Sequence, residues 1–77
     1  MIGRLRIERL APERYGVVFI PYRGGGDLRR REFVGRAALQ RHLATLEIQP
    51  AELEAGLRRL DEIGLHGFEN FEEGVVP

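Results

Sequence analysis

From Arg4 to Glu8 the chain alternates polar and apolar residues: Arg4, Leu5, Arg6, Ile7, Glu8. A period of two puts Leu5 and Ile7 on one face and predicts a half-buried strand. Pro12 then fixes its own φ and pushes Ala11 out of the helical region, so the chain is expected to reverse within Ala11 to Arg14. Tyr15 to Tyr22 is rich in β-branched and aromatic residues, with Val17 and Phe19 facing one way and Val18 and Ile20 the other. That is the pattern of a central strand. Gly24, Gly25 and Gly26 all tolerate positive φ, so Arg23 to Asp27 reads as a flexible loop closing a hairpin. The returning arm, Leu28 to Val34, holds Arg29, Arg30, Arg31 and Glu32 in succession, charges that a buried strand could not carry unpaired. It is expected at a sheet edge, where such charges also discourage aggregation.

From Ala37 the period changes. Leu39, Leu43 and Leu46 fall at i, i+4, i+7, which predicts an amphipathic helix over roughly Arg36 to Glu47. Pro50 suits the first turn of a second helix, Glu52 and Glu54 complement its positive end, and Leu53, Leu57 and Leu60 repeat the spacing. Gly64 is placed to stop it in a left-handed conformation. The short connection makes the two an αα-hairpin. Phe68 and Phe71 are three apart, a spacing that fits neither strict alternation nor a long helix. Leu65 to Phe71 therefore reads as a short strand or an ordered coil returning to the sheet, and Glu72 to Pro77 as loose.

The predicted fold is α+β: a three-stranded antiparallel sheet packed against an αα-hairpin, with a short C-terminal strand as one option. Its 77 residues suit one small domain, with a β-rich basic part over 1–35, the αα-hairpin over 36–64 and an acidic segment over 65–77. A chain this short buries only about 60 to 65% of its unfolded surface, so its stability margin is thin. Cysteine is absent, which removes disulfides and thiolate zinc sites and favours a reducing, cytoplasmic setting. The longest apolar run, Val17 to Ile20, is far below the roughly 20 residues that span a bilayer. Neither a signal-peptide core nor an acceptor for myristoylation or prenylation is expected.

Charge sharpens the picture. The formal total is zero, yet Met1 to Arg41 carries +6 and His42 to Pro77 carries −6. All twelve cations are arginine, a bias that a G+C-rich coding sequence explains more simply than selection for phosphate binding. Position along the chain says more than residue choice.

Candidate chemistry is sparse. Arg23, the glycines and Arg29 to Arg31 form an Arg-flanked loop that could wrap phosphates, but the Lys and Ser/Thr of a P-loop are missing. A solvated hairpin tip is the simpler reading. The helix pair does not suit DNA, because Glu52 and Glu54 would face phosphates from the second helix. His42 borders the apolar helix face; His66, with Glu62 and Glu69 nearby in sequence, lacks the spacing of a metal site. Serine and cysteine are absent, and Thr45 has no evident base. Neither an enzyme nor a cofactor is expected.

The expected function is a small, non-catalytic, intracellular protein-interaction module whose partner is another protein or itself, with no membrane. The alternative is RNA or DNA backbone binding through Arg23, Arg29, Arg30 and Arg31, with Tyr22 available for stacking. Phe68 and Phe71 are the expected anchors of an acidic docking segment. If that segment returned beside the edge strand, its carboxylates would instead pair with Arg29 to Arg31 within one molecule.

Overall fold

A computed structural model describes residues 1–24 and 28–73. Six elements follow in order: β1 (Ile2–Ala11), β2 (Arg14–Pro21), β3 (Arg30–Val34), α1 (Arg36–Ala44), α2 (Pro50–Ile63) and β4 (Leu65–Glu72). The sheet has four antiparallel strands in the order β3-β2-β1-β4. The α+β class and the two successive helices are as read from the sequence, but α1 lies chiefly over β3 and β2 and α2 over β4 and β1, rather than the two packing chiefly on each other as the expected αα-hairpin. The sheet gains a full eight-residue fourth strand. β1 is longer than its alternating stretch and lies inside the sheet, beside β2 on one flank and β4 on the other.

Alternation decides which side chains meet the helices. Leu5 and Ile7 of β1, Tyr15 and Val17 of β2 and Phe68 of β4 are buried on one face, against Leu39 and Leu43 of α1 and Leu60 of α2. Ile7, Leu39, Leu43 and Leu60 are fully buried, each stabilising by about 1.5 to 3 kcal/mol relative to exposure. Gly56 lets α2 sit close on β4, since a Cβ there would lie 2.5 Å from the ring of Phe68.

The β1–β2 turn passes through Glu13 in the left-handed region. The tip expected at Gly25 to Asp27 lies outside the described residues, although β2 and β3 pair as a hairpin would require. β3 is an edge strand, as its charges demand. α1 stops at Ala44, before the expected Glu47. The Thr45 amide and hydroxyl both donate to the His42 carbonyl, and Glu47 takes φ 57°, which turns the chain towards α2. Pro50 opens α2, and Gly64 closes it with φ 80° while its amide donates to the Leu60 carbonyl. The tail expected to be loose is held as far as Glu73, whose amide donates to the Met1 carbonyl; residues 74–77 lie outside the described part. Among the described residues no helix is long and apolar enough to cross a membrane.

Candidate interaction surface

The sheet face away from the helices is a ladder of arginines and glutamates. Arg4, Arg6 and Glu8 alternate outward on β1, and Arg30 faces the same way from β3, opposite Val18. Arg30 crosses β2 to reach Glu8 at 3.3 Å, and Arg6 approaches the same carboxylate oxygen at 3.7 Å. Gly16 opens that route: a Cβ there would meet the Arg30 side chain at 2.9 Å. The Glu8 side chain is only 16% exposed, so two guanidiniums share one shielded carboxylate.

A second cluster joins β1, β4 and Tyr22, just past the end of β2, at one end of this face. The Tyr22 hydroxyl donates to Glu69 Oε1 at 2.7 Å and accepts from the Asn70 amide at 2.9 Å, while Arg4 pairs with Glu69 Oε2. The hydrogen bond from Tyr22, followed by that from Arg4, holds the Glu69 carboxyl below the usual carboxylate range.

These contacts redistribute the residues singled out in the sequence. Tyr22 leans across β1 towards β4, away from Arg29 to Arg31. Only Arg30 of that triplet is in an ion pair among the described residues, and its partner is Glu8 rather than the acidic tail. β4 lies at the opposite edge from β3, so the tail carboxylates do not line the Arg triplet. Arg31 pairs in register with Val17, which puts it on the helix side of the edge near α1. There burial first, and then the Arg31 charge, lower the pKa of His42, whose ring stacks on Phe33. Arg23 and Arg29 are exposed. Phe68 is 5% exposed and belongs to the core, so it does not serve as a surface anchor. Phe71 is half-buried, edge-on to Phe19.

Phe71 opens onto a groove of about 300 Å³ between the α1–α2 connection and the end of β4. Leu46, Ile48 and Phe71 give it an apolar floor, and Glu47, Glu52, Glu69 and Glu72 surround it. Leu46 and Ile48 pack only partly against the core, because the chain turns sharply at Glu47. The sequence reading missed this groove: Leu46 was legible as core and Glu52 as a helix-end charge, but nothing local joins residues 46–52 to 68–72. A second concavity, about 530 Å³ beneath the β1–β2 turn, has Arg9 and Glu13 as its charges and no sign preference.

Among the described residues no group of three side chains could hold a metal ion. His66 meets Phe68 edge-on, and its pKa is lowered first by burial and then by Arg59, against an opposing pull from Glu69. No protein-family model, curated protein or solved structure matches this chain.

Proposed function

We propose that this chain is a non-catalytic protein-interaction module of the reducing cytoplasm, recognising basic, apolar-bearing segments through the groove beside β4. The observation that carries this reading is the combination of an apolar floor with three carboxylates, Glu47, Glu52 and Glu72, the fourth lining carboxylate, Glu69, being engaged by Arg4 and Tyr22. Leu46, Ile48 and Phe71 gain by losing contact with water, and Glu47, Glu52 and Glu72 select positive charge and speed its approach. Two non-glycine residues on the groove, Glu47 and Asn70, hold positive φ, a conformation that costs stability and is kept where the surroundings over-determine it.

The test is a fluorescein-labelled peptide of alternating leucine and arginine, titrated with the protein and followed by anisotropy. Saturable binding that drops at least tenfold in the variant Glu47→Arg/Glu52→Arg supports the reading. Equal affinity for that variant, or for a Ser/Arg peptide lacking leucine, removes it.

A second reading keeps nucleic acid as the partner, favoured by the exposure of Arg23, Arg29 and Arg31 around one loop. It predicts RNA or DNA binding whose affinity falls steeply with salt. Absence of binding at low salt would end it.

A further inference from the structure

We infer that the partner seated in this groove is a second copy of the same chain, entering with Leu28 and the guanidiniums of Arg23 and Arg29; this rests on the groove reading above. Leu28 is 54% exposed, so it is not seated in the groove of its own molecule. It is an apolar side chain between Asp27 and Arg29, in a segment, 23–29, that two arginines and one aspartate leave at +1, the complement of an apolar floor beside glutamates. Leu28 and Arg29 lead into β3, at the sheet edge opposite β4, whereas Arg23 follows Tyr22, whose hydroxyl donates to Glu69 and accepts from the Asn70 amide beside the groove. Three strand spacings of about 4.8 Å put β3 and β4 some 14 Å apart, so Leu28 and Arg29 at one edge and the groove at the other can engage different neighbours.

The edges themselves are poor templates for strand pairing between copies. β3 is five residues long and charged, and β4 is interrupted where its register against β1 shifts between Gly3 and Leu5. Short, charged and bulged edges resist extension of the sheet. Contact between copies therefore goes through side chains in the groove. Because it joins two different surfaces, the contact is heterologous, and it closes into a ring or propagates. A groove of about 300 Å³ admits only a few side chains, and a contact of so few side chains buries less than the roughly 1,000 Å² of a stable interface, so association is weak, on the order of 10 μM to 1 mM.

A heterologous contact has a distinctive signature under mutation. Leu28→Ser/Arg29→Ser removes the entering side chains and leaves the groove intact, whereas Glu47→Arg/Glu52→Arg blocks the groove and leaves the loop intact. All these positions are exposed, and circular dichroism spectra and melting temperatures close to the parent's establish that both variants fold. In sedimentation velocity the parent's weight-average mass should rise with concentration and each variant should stay monomeric. An equimolar mixture should form a 1:1 dimer and nothing larger, since only one productive contact is available. A parent that stays monomeric to about 1 mM, a groove variant that still associates, or a mixture that stays monomeric or grows past a dimer overturns the proposal. The Leu/Arg peptide separates the two readings: peptide binding by a monomeric parent leaves the groove as a docking site for another protein, and loss of both removes groove and self-association together.

Discussion

At the scale of single residues, the tightest constraint is Gly56. Alanine there would gain about 1 kcal/mol of helix propensity, but its Cβ would lie 2.5 Å from the Phe68 ring and 2.8 Å from His66. Phe68 is buried and cannot swing clear, so overpacking of about 1 to 3 kcal/mol wins. Gly56→Ala should lower the urea midpoint of unfolding, and an unchanged or higher midpoint would show that α2 is not seated this closely. The two histidines set a pH dependence. Burial leads in lowering both, with Arg31 adding at His42 and Arg59 at His66. The unfolded chain, with histidine near 6.5, then binds more protons than the folded one in the window just below that value. Stability is therefore full above pH 6.5 and declines as pH falls towards the folded values. Glu69, lowered by Tyr22 and then Arg4, adds a separate loss below its ordinary value of 4.5. Thermal melts between pH 7 and pH 5 should show the first decline, and His42→Gln/His66→Gln should flatten it.

Among the elements, β4 explains why part of this fold was legible and part was not. β1, β2 and α2 announce themselves locally, through alternation at Leu5 and Ile7, β-branched density at Val17 to Ile20, and leucine spacing between Pro50 and Gly64. β4 hides because Phe68 and Phe71 are three apart yet both pack on the helix side. Phe68 pairs with Leu5 and Phe71 with Gly3, so three steps on β4 match two on β1. The extra residue falls at Glu69–Asn70, where Asn70 takes φ 54°, and a bulge of this kind defeats any periodicity test. Which edge β4 joins was equally closed to local reading, because α2 delivers it: the Gly64 carbonyl accepts from the Arg9 amide at 2.9 Å, docking the chain beside β1. Deleting Asn70 should restore regular pairing while keeping Phe71 over Gly3, with stability changed by no more than about 1 kcal/mol. The cost falls on the edge, since a straight β4 becomes a template for other strands. The deletion variant should bind thioflavin T and sediment as large species where the parent does not; a variant that remains as soluble as the parent would assign the bulge no protective role.

Over the whole molecule, the sorting of charge along the sequence becomes a sorting across the sheet, but only after internal pairing has used part of it. Glu8 answers Arg6 and Arg30, Glu32 answers Arg14, Asp61 answers Arg36 and Glu69 answers Arg4. Among the exposed charges outside those pairs, Arg23 and Arg29 flank the β2–β3 connection, and Glu47, Glu52 and Glu72 stand around the groove. Salt separates the two kinds of charge. Raising ionic strength from 0.1 to 1 M shortens the screening length from about 10 Å to about 3 Å. Exposed pairs within the chain contribute little to folding, about 0 to 1 kcal/mol each, so the melting temperature should barely move. Association steered by charge between copies should weaken several-fold, and the weight-average mass should return towards the monomer. Contact between copies driven by apolar burial alone would respond in the opposite sense, because excluded salts such as sulfate strengthen it. Sedimentation of the parent in 0.1 and 1 M sodium chloride, repeated in sodium sulfate of matched ionic strength, reads the sign directly. A mass that falls in both salts assigns the contact to the carboxylates of the groove, and one that rises in sulfate assigns it to the apolar floor.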